Sequence, residues 1–263
     1  MTERLPGPPA EGPAAVSVRG MWHRFVGQQV VDVLAGVDLE VARGRFVSLV
    51  GPSGCGKSTL LRILAGLVEP TSGTATIDGV SIIGRPGSAA YMPQKDNLLP
   101  WRRTLSNATL GAEIAGMGRA EAAARAMPLL ERFGLEGFES AWPAELSGGM
   151  RQRVALLRTF LLDRSVLLLD EPFGALDAIT RRRMYSWLQD VWLADRRTVL
   201  FVTHDVEEAL YLSDQVVVLS PRPGRVVANI DVDLSRPRSP SLVTDPSFVA
   251  RKAELLTALD SEA

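Results

Sequence analysis

Arg45-Phe46-Val47-Ser48-Leu49-Val50-Gly51-Pro52-Ser53-Gly54-Cys55-Gly56-Lys57-Ser58-Thr59 is the stretch that decides the fold. It opens with a mostly apolar run of the kind found in strands of a parallel sheet buried on both faces. Gly51 to Ser58 then match Gly-x4-Gly-Lys-Ser in full, and Leu60, Leu61, Leu64 and Leu67 recur at helical spacing, with Gly66 near the expected helix end. Strand, glycine loop and helix in that order make an anion cradle. The glycines let backbone N–H groups wrap a phosphate, the helix points its positive end at it, and Lys57 adds a unit charge. Ser58 can place its hydroxyl on Mg²⁺, and Thr59 continues the helix start. Cys55 stands where the backbone does the binding, so it reads as a small filler, with thiol redox sensitivity as a minor option.

The rest of the chain reads outward from this unit. Val16 to Val41 carries short β-type runs separated by Gly27-Gln28-Gln29 and Ala35-Gly36, which suggests a small antiparallel sheet. Thr71-Ser72-Gly73 and Asp78-Gly79 flank a hairpin strand at Thr74 to Ile77. Between about Asn97 and Leu162 the texture turns helical, with Ala120 to Phe133 and Met150 to Leu162 as the clearest segments. Strand-like runs return at Val166 to Leu169, Val199 to Val202 and Val216 to Leu219, separated by helical segments at Ala178 to Trp192 and Val206 to Leu212. That alternation implies right-handed βαβ crossovers, a mainly parallel sheet covered by helices, and ligand at the carboxyl ends of the strands. The expected organisation is a disordered leader over residues 1–15, an α/β domain over 16–225 with the helical insert at 97–162, and a tail over 226–263 holding an amphipathic stretch near Phe248 to Leu259.

Bulk properties exclude several classes. The 263 residues are 46% apolar and carry a formal net charge of -1 from 29 basic and 30 acidic residues. An extended basic surface for nucleic acid is therefore not expected. A single cysteine allows no internal disulfide, and one cysteine with two histidines is too few soft ligands for structural zinc, which leaves oxygen-ligated Mg²⁺ as the expected metal. No apolar run approaches the roughly 18 to 20 residues that cross a bilayer, so work at a membrane would need a partner.

Beyond the glycine loop, chemistry-bearing residues gather at strand ends. Asp170 closes an apolar run and can hold Mg²⁺ through water, and Glu171 beside it is placed to polarise an attacking water. His204 follows Val199 to Val202 and Thr203, where it can donate to a terminal phosphate or fix the water. The amide of Gln94 can ligate Mg²⁺ or orient water. His23 lacks such a context and reads as structural. A second anion-binding signal lies at Leu146-Ser147-Gly148-Gly149-Met150: open backbone amides, a serine hydroxyl and a helix dipole, or equally a plain helix cap.

Taken together, Gly51 to Thr59, Gln94, Leu146 to Arg153, Leu167 to Pro172, Ala175-Leu176-Asp177 and Thr203-His204-Asp205 resemble the nucleotide-binding subunit of ATP-binding-cassette transporters, over about Val16 to Arg225. The resemblance implies a P-loop NTPase fold of RecA-like type with a small antiparallel β subdomain and an inserted helical subdomain. It implies ATP and Mg²⁺ as cofactors. By position, Lys57 takes the β- and γ-phosphates, Ser58, Gln94 and Asp170 serve the metal, Glu171 is the general base, and His204 is the γ-phosphate switch. Gly51, Pro52, Ser53, Gly54, Cys55, Gly56 and Thr59 complete the nucleotide loop, and Phe25 matches the aromatic that stacks on adenine, with Trp22 as a competitor. Met150 departs from the glutamine that many relatives carry, so altered packing at that helix start is expected, without loss of nucleotide binding.

In this family Ser147, Gly148 and Gly149 of one subunit complete the site of another, and Asp177 lies in the loop joining them, which implies a homodimer or pairing with a separate cassette. Asn97-Leu98-Leu99-Pro100-Trp101-Arg102 looks like the surface that receives a permease's coupling helix, with burial within the helical subdomain as the alternative. Leu98 to Trp101, Gly148 to Arg153, Phe173 to Asp177 and Pro221-Arg222-Pro223-Gly224-Arg225 are similar to the nitrate, sulfonate and taurine importer branch, which also includes transporters of thiamine-precursor pyrimidines. The resemblance thus implies an ATPase at the cytoplasmic face of the cell membrane, held by its permease and served indirectly by an external solute-binding protein. A soluble cassette acting on nucleic acid or ribosomes and an exporter ATPase are the rival readings.

Overall fold

The computed structural model describes residues 14–174 and 176–260. Most of the stretch expected as a leader, 1–13, lies outside the described residues, and Ala14 and Ala15 already belong to the first strand. Two long strands, β1 (Ala14–Val26) and β2 (Val30–Ala42), form a hairpin across Gly27 to Gln29. The expected break at Ala35-Gly36 is instead a kink inside β2. The pairing with β1 shifts between Met21↔Val37 and Trp22↔Ala35, and Gly36, at φ 68°, supplies the left-handed backbone that such a shift needs. Two further strands, β4 (Ser72–Ile77) and β5 (Val80–Ser81), complete an antiparallel sheet in the order β2-β1-β4-β5.

The second sheet is built on five runs that bury both faces or lie between layers: β3 (Phe46–Val50), β6 (Ala90–Met92), β7 (Val166–Asp170), β8 (Thr198–Val202) and β9 (Gln215–Leu219). Every residue of β3, β7 and β8 is buried, in keeping with their mostly apolar character. With β10 (Val226–Asp231), the order is β10-β9-β3-β8-β7-β6, parallel throughout except for the antiparallel β10 edge. The boundary expected at residue 226 therefore falls between two paired strands, and the chain from β10 onward is continuous with the main body.

Helix α1 (Lys57–Leu64) packs between the two sheets, sharing a core with Val16, Leu34, Val47 and Leu49. The helical insert holds α2 (Thr104–Ile114), α3 (Arg119–Arg132) and α4 (Gly148–Phe160), and α4 returns Val154, Leu156 and Leu157 to the core on the other face of the main sheet. That face is completed by α5 (Ala178–Asp195), α6 (Val206–Leu212) and α7 (Pro246–Asp260). The amphipathic stretch expected near the C-terminus is α7, which buries Phe248 and Leu255 completely.

Arg238, almost wholly buried, ties this segment down by donating to the carbonyls of Leu210 (2.8 Å), Tyr211 (3.0 Å) and Ser213 (2.7 Å). These oxygens end α6 and would otherwise lack partners. Burial pulls the guanidinium pKa down to about 9, and the neighbouring Arg236 adds to the shift.

Candidate functional site

The glycine loop is shaped by contacts that exclude any other residue at key points. Gly51 (φ 155°) would drive a Cβ to 2.7 Å from the Leu219 carbonyl oxygen, and Gly56 (φ 111°) would bring one to 2.6 Å from Leu34 Cδ2 and 2.9 Å from the Val33 oxygen. The loop thus presses against β9 and β2, and only glycine leaves the backbone room to curl. Lys57, only 5% exposed, donates from Nζ to the carbonyls of Gly51 (2.7 Å) and Pro52 (2.9 Å). Cys55 is buried beneath the loop, as a filler should be.

A cleft of about 710 Å³ opens over this loop, within the range of small-molecule sites. Ser53, Gly54, Gly56, Lys57, Ser58 and Thr59 line its floor, with Gln94, Glu171 and His204 also on its walls. Phe25 lines it too, and Trp22 does not; Trp22 packs instead over Gly36, so the structure brings Phe25 to the cleft. His23 is buried and meets Phe25 edge-on, with ring centroids 4.5 Å apart. Its pKa is lowered by burial, consistent with a structural imidazole.

Glu171 is the focus of the polar wall. Gln94 Nε2 donates to Glu171 Oε2 at 3.1 Å, and His204 Nδ1 lies 3.3 Å from the same oxygen. The backbone at Glu171 is left-handed (φ 45°), with its N–H bonded to the Val202 carbonyl at 2.9 Å, so the chain turns sharply after β7 and sends Asp170 and Glu171 in different directions. Asp170, 2% exposed, sits behind the cleft floor and accepts from Ser58 Oγ (2.9 Å) and Tyr91 OH (3.4 Å). Burial raises its pKa above the usual carboxylate range, and the Ser58 hydroxyl opposes that shift.

The loop bearing His204 rests on a second buried acid. Thr203 Oγ1 donates to Glu208 Oε2, and Asp205 caps α6 by accepting from the N–H groups of Glu207 (2.9 Å) and Glu208 (3.1 Å). Burial pushes the Glu208 carboxyl up to about 8. Arg181 joins this loop to the one before α5, reaching Asp205 Oδ2 (3.4 Å) and the Leu176 carbonyl (2.9 Å). Asp177 N-caps α5, and the Thr180 hydroxyl together with the capping N–H groups holds its carboxyl below the usual range.

Ser147, Gly148 and Gly149 are not brought to this cleft. Ser147 N-caps α4, accepting from Met150 N at 3.2 Å, and the glycines form the first turn. Arg151 holds the turn by donating to the Leu146 carbonyl (2.8 Å), while Arg158 reaches the carbonyls of Asp96 and Asn97 (3.0 Å to the latter). Helix α4 is thereby clamped to the segment leaving Gln94. Asn107 organises the next turn through bonds to Leu99 and Arg102, and Trp101 projects 71% exposed beside a groove that Arg103 and Trp142 also line.

Sequence reasoning misses three contributors to the site: Tyr91, whose hydroxyl faces Asp170, the apolar wall of Val31 and Val33, and Arg222. For Tyr91 a signal exists, since it lies on the strand that delivers Gln94. Arg222 has no signal of its own beyond its place in Pro221 to Arg225.

A donor set of hydroxyl, amide and carboxylate oxygens suits Mg²⁺, which is held by few protein groups together with substrate phosphates. Ser58, on the cleft floor, and Asp170, behind it, are already within hydrogen-bond distance of each other. Among the described residues no cluster of histidine, cysteine and acid side chains competes for another metal.

A family model described as "ABC transporter" matches residues 34–174. An aliphatic sulfonates import ATP-binding protein of Mycobacterium sp. (strain MCS) is 48% identical over 226 residues, 86% of this chain and 87% of that protein. A taurine import ATP-binding protein of Yersinia pestis bv. Antiqua is 39% identical over 246 residues, 92% and 95% respectively. Among solved structures, a dimeric bacterial ABC transporter cassette matches at TM-score 0.73 and 29% identity, over 83% of this chain and 99% of that one. A post-hydrolysis state of that cassette, bound to ADP and Pi, matches equally well. The cleft, the glycine loop and these relatives agree, and the chain belongs to the ABC transporter family as an ATP-binding, ATP-hydrolysing cassette.

Proposed function

We propose that this cassette powers uptake of a small anionic or zwitterionic solute of the sulfonate or taurine type through a membrane permease. The hydrolytic half of that reading is carried by one observation, the convergence of Gln94 and His204 on Glu171 Oε2. Glu171 accepts a proton from the attacking water as the oxygen bonds to the γ-phosphorus; the bond to the β–γ bridging oxygen breaks and ADP leaves. His204 shares the carboxylate and holds the γ-phosphate side of the cleft. Lys57, released from its loop carbonyls, balances charge on the β- and γ-phosphates. Ser58, Gln94 and Asp170 would hold Mg²⁺, which when bound would supply positive charge against the phosphates.

Two copies close head-to-tail, Ser147, Gly148 and Gly149 of each meeting the nucleotide bound by the other. The placement of α4's start outside its own chain's cleft favours that arrangement. The dimer found for the similar cassette favours it as well. Closure is transmitted along the Gln94 segment, clamped to α4 by Arg158, to the exposed turn around Trp101, where the permease's coupling helix docks. No helix among the described residues is long and apolar enough to cross a membrane. In this reading the permease holds the cassette at the cytoplasmic face, and an external binding protein delivers the solute. The solute class rests on the relatives' names, and a thiamine-precursor pyrimidine is the second candidate cargo.

Glu171→Gln separates binding from hydrolysis. ATP binding persists, ATP-bound dimers accumulate, and turnover falls by about a hundredfold or more. Unchanged turnover removes Glu171 as the base. Co-purification with the permease and its solute-binding subunit, followed by identification of the bound ligand, tests cargo and direction together; recovery of ribosomes or DNA in place of a permease would contradict the transport reading.

A further inference from the structure

The segment Ser220 to Arg225 is held more firmly than a surface turn needs. Ser220 Oγ accepts from Arg225 N (3.1 Å) and donates to the Pro221 carbonyl (3.0 Å), closing the turn. Gly224 then bonds to β2 in both directions, N to the Val33 oxygen at 2.8 Å and O from Ala35 N at 3.0 Å. A Cβ on Gly224 would stand 2.2 Å from the Cys55 carbonyl oxygen, so this backbone is pressed onto the phosphate loop itself. The turn is locked to β2 and to the glycine loop at once, yet Arg222 within it is exposed and lines the nucleotide cleft. Among the described residues its guanidinium makes no hydrogen bond or ion pair.

Strand order tells which end of the nucleotide Arg222 faces. Along the carboxyl edge of the sheet, Arg222 follows β9, the glycine loop follows β3, His204 follows β8, Glu171 follows β7, and Gln94 follows β6, in the order β9-β3-β8-β7-β6. The γ-phosphate groups therefore all lie on one side of the glycine loop. Arg222 lies on the other, beside Val31, Val33 and Phe25 of the β1–β2 hairpin. An exposed guanidinium on a rigid turn, lining the cleft on the side away from Gln94, Glu171 and His204, faces the part of a bound nucleotide that precedes its γ-phosphate.

We propose that Arg222 is a nucleotide-binding residue that pairs with the α-phosphate and its ribose ester end, supplementing the glycine loop and Phe25. This rests on the ATP-binding reading of the cleft. Arg suits the role because its fork gives paired donors to phosphate oxygens.

The test is equilibrium titration of ADP and of ATP into the nucleotide-free wild type, Arg222→Ala and Arg222→Lys, with melting temperatures of the nucleotide-free proteins. Arg222→Ala weakens both nucleotides by the same factor, about tenfold, Arg222→Lys recovers part of the loss, and the nucleotide-free melting temperatures coincide. Unchanged ADP affinity in Arg222→Ala overturns the proposal, as does a loss confined to ATP, which would place the residue at the γ-phosphate. A loss matched by a fall in nucleotide-free melting temperature also overturns it, since the residue would then only brace the turn. If the wild type itself binds neither nucleotide, the reading of the cleft fails instead.

Discussion

Two helices in this chain begin with glycine and serine, and their own surroundings treat those residues in opposite ways. At the start of α1, Gly51 and Gly56 sit in positive-φ backbone, and a Cβ would strike neighbours at 2.7 Å and 2.6 Å. At the start of α4, Gly148 and Gly149 have ordinary helical backbone, and a Cβ would meet its nearest neighbours at 3.8 Å and 3.3 Å. The first glycines are demanded by the chain that carries them. The second are under a milder constraint, the Thr180 methyl 3.3 Å from a Cβ on Gly149 being the tightest contact, and glycine in a helix is a cost of up to about 1 kcal/mol relative to alanine, so a requirement for bare backbone at α4 is consistent with a contact from outside the chain. A phosphate held by a second copy would meet that requirement, in keeping with the proposed shared-site dimer.

Substitution tests the contrast from either side. Gly56→Ala carries the largest expected effect. A left-handed backbone and a Cβ overlapping Leu34 and Val33 together cost about 3 kcal/mol, lowering Tm by roughly 10 °C in a thermal melt and abolishing ATP binding in titration. Gly149→Ala is expected to leave Tm within about 3 °C of wild type and ATP affinity of the monomer intact, because only the Thr180 methyl must yield. Its ATP-dependent dimerisation, followed by light scattering, should fall tenfold or more. A Gly149→Ala protein that dimerises normally would mean that the glycine serves no contact beyond its own helix.

A third helix start, α6, extends the contrast because its polar groups are engaged within the chain: Asp205 caps it and Glu208 is buried against Thr203. The folded pKa of Glu208, about 8, lies above its ordinary 4.5, so the folded state binds the extra proton between those values. Its contribution to stability is therefore fully present below about 4.5 and is lost as pH rises through about 8. Glu208→Gln should flatten that part of the pH dependence of Tm, with the largest gain over wild type above pH 8, of a few degrees. Identical slopes in the two proteins would show that Glu208 is ionised in the native state. Met150→Gln, at α4, should have the smallest effect: the Ser147 cap uses the backbone N–H of residue 150, so Tm should shift by no more than about 2 °C.

The same elements differ in how far they are legible in the sequence. Strands β3, β7 and β8 are legible because burial on both faces leaves mostly apolar runs, and the polar residues at the end of β7 and just after β8 mark the sheet's carboxyl edge, where Asp170, Glu171 and His204 stand. The kink at Ala35-Gly36 reads as a break because a glycine inside a strand pattern looks the same in both cases. Glu208 is invisible as a buried acid, since Glu207-Glu208 in a first helical turn reads as solvated charge favoured by the helix dipole. Arg222 is illegible for another reason. Its position depends on Gly224 docking against Val33 and Ala35, residues far away along the chain, and local pattern carries no information about such an approach.

Whether the two anion-binding helix starts of one chain serve nucleotide sites in two different copies is tested most directly by disulfide cross-linking. Cysteines are placed at Ser53, on the cleft floor, and at Ser147, the α4 cap, in a Glu171→Gln background, where the native Cys55 is buried and does not compete. Oxidation with ATP present should give a covalent dimer, and oxidation without nucleotide should give none. An internal cross-link within single chains, or ATP-bound protein that forms no covalent dimer, would contradict the shared-site arrangement.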